Sequence, residues 1–129
     1  MAQVALDADV VIGFLDPGDD QHERAVQEVR SRLAAGNDIL IGASVYAEVI
    51  VRPMQTGTGD YVDEFLDTIG VTVVPVDRAV ARRAAQLRAA HRGLRLPDAL
   101  SLATALTSGS ELLTLDRVLR RIAEREAQT

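Results

Sequence analysis

The chain has 129 residues, a length that fits one domain with a hydrophobic core of its own. Hydrophobic residues make up 47% of it, which excludes a disordered chain, and the lack of cysteine excludes disulfides and thiolate metal sites. The formal net charge of −5 argues against broad electrostatic binding to nucleic acid, although the basic side chains are all arginines, which make forked contacts with phosphate.

Short apolar runs alternate with helix patterns along the first part of the chain. The runs that predict strands are residues 3–6, 39–41 and 71–74. The helix patterns between them lie at 10–15, 25–33, 45–50 and 61–69. Ser44 is predicted to cap the third of these helices, and Pro53 to limit its length. This alternation continues to the end of the chain.

The second part contains two longer helix patterns and one more strand. Asp77 is predicted to cap the first helix, and the second occupies residues 94–106, with Pro97 suited to a first helical position. Residues 111–115 predict a fourth strand that ends at Asp116, and a polar amphipathic helix follows.

The helix at 94–106 is apolar on nearly all sides, which is typical of a buried helix, yet it carries Asp98 in its first turn. A carboxylate there interacts favourably with the helix dipole by roughly 0.3–1 kcal/mol, and this alone explains a lone Asp. A functional role gains weight because other acidic residues also lie at the ends of apolar segments.

Strands that alternate with helices predict an α/β fold: a three-layer α/β/α sandwich with a short, mainly parallel sheet of four or five strands. Ligands of such sheets bind beyond the carboxyl ends of the strands. Asp7 and Asp116 follow two of the strands, Glu48 lies one turn into the helix after another, and Asp98 begins its helix. We therefore expect four carboxylates to converge on one rim.

Four carboxylates in one cleft repel one another unless a cation or protons neutralise them. Oxygen ligands without cysteine suit Mg²⁺ or Mn²⁺, and these ions on carboxylates support phosphodiester hydrolysis by an activated water. The sequence has no P-loop and no glycine-rich dinucleotide motif. His22 and His91 lie among charged helix residues and are expected to be solvated, so a Ser-His-Asp arrangement lacks support.

Four segments together resemble a known family. They are Leu6-Asp7-Ala8-Asp9-Val10-Val11-Ile12, Ala47-Glu48-Val49, Leu96-Pro97-Asp98-Ala99-Leu100 and Leu112-Leu113-Thr114-Leu115-Asp116. In their order, spacing and total length they resemble the PIN-domain ribonucleases of the VapC toxin type. The resemblance covers nearly the whole chain, so we expect one PIN-like domain over residues 1–129.

The resemblance implies a toxin of a type II toxin–antitoxin system that cleaves RNA such as tRNA or rRNA, with Mg²⁺ or Mn²⁺ as cofactor. The family's catalytic, metal-binding quartet would fall on Asp7, Glu48, Asp98 and Asp116. Asp7 and Asp98 would be the principal metal ligands, and the other two would complete the site directly or through water.

The resemblance also implies partners. Proteins of this type form homodimers and are held inactive by a cognate, VapB-like antitoxin whose C-terminal segment enters the acidic cleft. Residues 56–59 and the helix of Tyr61 and Phe65 are a candidate dimer contact, although core packing explains these aromatic residues equally well. With no apolar run of about 18 residues and no signal peptide pattern, a cytoplasmic protein is expected.

Arg95 and Arg117 each adjoin a segment of the quartet and are predicted to contact the RNA backbone. One position departs from the family, which usually has Ser, Thr or Asn where this chain has Asp9. That carboxylate could contact the metal, but we expect it to cap a helix.

Three other functions stay open on the sequence alone. A haloacid-dehalogenase-like phosphatase would use Asp7 as nucleophile and Asp9 as acid and base. A receiver-like regulatory domain would need a lysine that this chain lacks. A non-enzymatic dimerisation or binding module on the same scaffold would not cleave RNA even with Asp98 intact, whereas an active enzyme would lose cleavage when Asp98 is replaced.

Overall fold

A computed structural model describes residues 2–128 of the protein. Its strands are β1 (Gln3–Leu6), β2 (Asp38–Gly42), β3 (Thr72–Val74) and β4 (Glu111–Leu113). Its helices are α1 (Ala8–Leu15), α2 (His22–Ala34), α3 (Ala43–Val49), α4 (Val51–Gln55), α5 (Gly59–Thr68), α6 (Arg78–Ala90), α7 (Leu96–Ser108) and α8 (Arg117–Ala127). None of these helices is long and apolar enough to span a membrane.

The four strands form one parallel sheet in the order β3-β2-β1-β4. The chain moves outward from β1 to β2 and β3, then returns through α6 and α7 to place β4 on the other side of β1. This reversal opens a crevice at the carboxyl ends of β1 and β4, the usual ligand site of such sheets. The predicted three-layer fold is confirmed, with four strands.

Alternate side chains of the strands supply two cores, one on each face of the sheet. Val4 and Ile41 pack on the face covered by α1 to α3 and α5, whereas Ala5 and Leu40 face α7. The central helix α7 lies close to β2, since a Cβ atom at Gly42 would lie 2.9 Å from Thr104 Oγ1. The close contact fixes α7, and with it Asp98, against the sheet.

Some local predictions were wrong. The N-cap of α3 is Gly42, because the helix starts directly at the end of β2, and Ser44 lies inside it. Pro53 was expected to limit the length of α3, which does end before it, at Val49; Pro53 itself occupies the first turn of α4, where its missing N–H costs nothing. The central helix begins at Leu96 rather than at residue 94.

The two histidines are not solvated as expected. His22 Nδ1 lies 2.7 Å from the Gly13 carbonyl oxygen, and His91 Nε2 lies 2.7 Å from Glu126 Oε2. His22 therefore joins the consecutive helices α1 and α2, whereas His91 joins the end of α6 to α8, which is distant in the sequence. Neither imidazole lines the cavity of carboxylates discussed below.

Candidate active site

A cavity of about 330 Å³ opens at the carboxyl ends of β1 and β4. It is lined by all four carboxylates of the predicted quartet: Asp7, Glu48, Asp98 and Asp116. Asp9 and Arg95 also line it, whereas Arg117 does not. The structure thus brings together acidic side chains from four separate segments, with one of the two predicted arginines beside them.

Asp7 follows β1 and is buried, with 6% of its surface exposed. Its backbone N–H donates to the Leu113 carbonyl at 2.9 Å and extends the pairing of β1 with β4. Its Oδ1 accepts from the Ala8 N–H at 2.9 Å, so Asp7 is the N-cap of α1. Each carboxylate oxygen has a second lone pair, so these bonds leave acceptor capacity for a ligand.

Thr114 connects the acidic segments and was not singled out from the sequence. Its hydroxyl lies 2.9 Å from Asp7 Oδ2 and 3.4 Å from Asp9 Oδ2, and it accepts from the Asp116 N–H at 3.2 Å. The sequence feature that could have identified Thr114 is its position as a polar residue inside the apolar run at 111–115. One buried hydroxyl therefore connects three acidic residues, Asp7 and Asp9 of one segment and Asp116 of another.

Asp9 is not the helix cap that was expected, because Asp7 already fills that position. Its Oδ2 instead accepts from the Leu115 N–H at 3.1 Å and holds the first turn of α1 to the end of β4. Its Oδ1 is buried and has no hydrogen-bond partner within residues 2–128. The carboxylate is therefore held in place by Oδ2, while the burial of Oδ1 is not offset by a hydrogen bond among the described residues.

Asp98 and Asp116 each belong to the start of a helix. Asp98 lies in the first turn of α7, where Arg95 Nη2 approaches its Oδ2 at 3.4 Å. Asp116 caps α8, since its Oδ1 accepts from the backbone N–H groups of Val118 and Leu119 at 2.8 and 3.1 Å. Glu48 projects from the last turn of α3 and is exposed overall, although it lines the cavity, where its carboxylate is partly desolvated.

The carboxylates raise one another's pKa values. Burial first, and then the charge of Asp7, raises the pKa of Asp9 from 3.8 to about 6. Burial and the charges of Asp7 and Asp98 raise the pKa of Glu48, and burial and Asp7 raise that of Asp98. Arg95 opposes the shifts at Glu48 and Asp98 but does not cancel them. The cavity is thus short of positive charge.

A hard divalent cation fits this donor set. The ligands on offer are carboxylate oxygens, the type that Mg²⁺ and Mn²⁺ prefer, and the raised pKa values show that the site favours added positive charge. Within residues 2–128, no three acidic or histidine side chains lie close enough together to form a ready-made metal site. Mg²⁺ commonly keeps several of its waters, so a loose set of carboxylates suits it.

Comparison with known proteins assigns the family. The family model of the PIN domain matches residues 4–125. No curated protein matches the sequence significantly. Proteins with this domain are generally nucleases, which are hydrolases.

Solved structures with the same fold come from toxin–antitoxin proteins. A toxin–antitoxin complex from Klebsiella pneumoniae is 25% identical, with a TM-score of 0.70 over 88% of this chain and 87% of that one. FitAcB from Neisseria gonorrhoeae is 22% identical, with a TM-score of 0.73 over 95% and 94%.

VapC20 from Mycobacterium tuberculosis, described as a Sarcin-Ricin loop cleaving toxin, is 17% identical, with a TM-score of 0.71 over 92% of this chain and 94% of that one. Because the chain matches the PIN domain model, we no longer consider the haloacid-dehalogenase-like phosphatase or the receiver-like domain as its function. On that match over residues 4–125, the chain belongs to the PIN domain family.

Proposed function

We propose that the protein is a metal-dependent endoribonuclease and the toxin of a type II toxin–antitoxin pair. The observation that carries this proposal is the convergence of Asp7, Glu48, Asp98 and Asp116 on one cavity at the reversal point of the sheet. The likeness to VapC20, a toxin described as cleaving RNA of the Sarcin-Ricin loop, supports RNA as the substrate class. One PIN-like domain over residues 1–129 would carry this activity.

Asp7 and Asp98 would be the principal ligands of Mg²⁺ or Mn²⁺, with Glu48 and Asp116 completing the site directly or through water. When bound, such an ion polarises the phosphoryl oxygen and lowers the pKa of an attacking water. The buried Thr114 hydroxyl orients Asp7 through its 2.9 Å hydrogen bond. Arg95, whose side chain is 75% exposed at the rim, is placed to hold the RNA backbone.

The cleft also fits inhibition by a partner. A cationic side chain from a VapB-like antitoxin would neutralise the same carboxylates in place of the metal. A homodimer is part of the proposal as well. In the candidate contact region Tyr61 is 73% exposed, whereas Phe65 is half-buried and stacks on Phe14 with ring centroids 5.7 Å apart.

The proposal is tested by incubating purified protein with total cellular RNA in Mg²⁺, in Mn²⁺ and in EDTA. The wild type should release discrete fragments only with metal. Asp98→Asn removes the charge of one principal ligand at nearly constant volume and should slow cleavage by about 100-fold or more. Mapping the fragment ends identifies the RNA that is cut.

Asp38→Asn is the matched control, because Asp38 is exposed at the start of β2, on the opposite edge of the sheet from the cleft. This variant should cleave like the wild type. Intact RNA with every metal would leave the non-enzymatic binding module as the function, and full activity of Asp98→Asn would remove the carboxylate cleft from the mechanism.

A further inference from the structure

A second cavity, of about 280 Å³, adjoins the carboxylate cleft. The two share Arg95, Asp98 and Asp116 as a common wall. A chain that crosses the carboxylates therefore continues directly into this second space. We call it the arginine cavity, because Arg92 and Arg95 both line it.

The loop that carries these two arginines is held in one conformation by its neighbours. Arg88 Nε donates to the Leu94 carbonyl at 3.1 Å, and the Leu94 N–H donates to the His91 carbonyl at 3.2 Å. Gly93 supplies the turn between them with a φ of +87°, a value that a side chain would disfavour. His91 in turn contacts Glu126 on α8. The arginines are thus presented on an ordered loop, which lowers the entropy lost on binding.

The charges of the arginine cavity favour an anion beside Arg92 and Arg95 and disfavour one beside Asp98 and Asp116. Arg92 is exposed and makes no hydrogen bond or ion pair within residues 2–128. Arg95 makes only the 3.4 Å contact with Asp98. Two guanidinium groups with free donors suit a phosphate, while Asp98 and Asp116 repel one.

The wall opposite the loop is apolar. It is formed by α8, where Val118 is 66% exposed and Leu119 and Ile122 also line the cavity. Such a surface accepts the ribose and the face of a base but offers no side-chain hydrogen bond to read the base edge. The volume lies near the lower end of small-molecule sites, roughly 300–1,000 Å³, and so fits one nucleotide unit and not a base pair.

We propose that the arginine cavity binds the nucleotide next to the phosphodiester that is cut. Arg92 and Arg95 hold its flanking phosphate, and Val118 packs against its ribose and base. This inference rests on the proposed nuclease function. It selects unpaired RNA at this position and gives little preference for one base over another.

The test measures binding of a 12-nucleotide, fluorescein-labelled single-stranded RNA of mixed sequence by anisotropy over a range of KCl concentrations. EDTA is present so that the RNA is not cut. Arg92→Gln should weaken binding about fivefold and reduce the slope of log Kd against log[KCl] by about 0.7, the share of one phosphate contact. Val118→Ser should weaken binding about threefold with the slope unchanged, because it removes only apolar contact.

Matched controls are Arg30→Gln on α2 and Val73→Ser on edge strand β3, both exposed and outside the cavity. Thermal unfolding of each variant verifies that it folds. Binding by Arg92→Gln that equals binding by Arg30→Gln in affinity and slope would overturn the proposal. If Arg92→Gln binds the antitoxin more weakly but binds RNA as the wild type does, the cavity belongs to a protein partner, and the proposal is overturned as well.

The nuclease function is tested separately, by cleavage of total cellular RNA by the wild type in Mg²⁺, because the proposed cleavage is of a specific cellular RNA. If the wild type cleaves RNA but Arg92→Gln and Val118→Ser bind RNA as their controls do, only the proposal for the arginine cavity is rejected. If both variants show the expected changes in affinity and salt slope but the wild type does not cleave RNA, the nuclease function is rejected and the RNA-binding site is retained. A wild type that neither binds nor cleaves RNA rejects both.

Discussion

Among the acidic residues of the cleft, Asp9 is the one whose pKa is raised the most. Its Oδ2 accepts from the Leu115 N–H, its Oδ1 is buried without a hydrogen-bond partner among residues 2–128, and its pKa is raised to about 6. Since the folded state favours the protonated acid, this side chain stabilises the fold below pH 4 and loses that contribution as the pH rises through 6. The sequence marks Asp9 as unusual, but only the contact with β4 explains its effect.

Asp9→Asn should therefore stabilise the metal-free protein at neutral pH, because the amide oxygen still accepts from the Leu115 N–H without carrying a charge. Allowing for partial solvent screening, we expect a gain of about 1–2 kcal/mol at pH 7.5 that shrinks toward zero at pH 4. Urea unfolding in EDTA at several pH values measures it, with Asp38→Asn as control. A gain that is the same at every pH would show that the charge of Asp9 is not its cause.

At the scale of elements, α7 positions Asp98 because it packs closely on β2. Thr104 Oγ1 is fixed by donating to the Leu100 carbonyl at 2.8 Å and lies 2.9 Å from where a Cβ at Gly42 would be. Gly42→Ala should then destabilise the fold by about 1–3 kcal/mol through overpacking. Thr104→Ala in the same chain should recover part of this loss in a double-mutant cycle of urea unfolding, whereas simple additivity would reject the close packing.

The elements were predictable where the signal is local. The apolar runs marked the strands, and Asp77 caps α6 through the Val80 N–H as expected. Gly42 was missed as the N-cap of α3 because the close approach of α7, and not the neighbouring sequence, determines which residue fits there. Parallel topology accounts for the convergence of the quartet, since strand ends share one edge. The Thr114 bridge and Arg92 depend on distances across the fold that residue spacing does not encode.

At the scale of the whole molecule, charge is sorted between neighbouring cavities. The net charge of −5 does not describe the local charges: the carboxylate cleft lacks positive charge, and the loop beside it carries two arginines. Burial, and then repulsion from neighbouring carboxylates, raises the pKa values of Glu48 and Asp98, so their ionised forms destabilise the metal-free fold at neutral pH. Metal binding would relieve this repulsion and stabilise the protein, which links the proposed chemistry to folding.

Thermal unfolding at pH 7.5 with and without Mn²⁺, for the wild type, Asp98→Asn and Asp38→Asn, tests this link most directly. We predict that Mn²⁺ well above its Kd raises the Tm of the wild type and of Asp38→Asn by about 5 °C or more. Metal-free Asp98→Asn should be at least as stable as the wild type, because one repelling charge is gone, and should respond weakly to Mn²⁺. A wild type whose Tm ignores Mn²⁺, or an Asp98→Asn variant that responds as strongly as the wild type, would contradict a metal site built on these carboxylates.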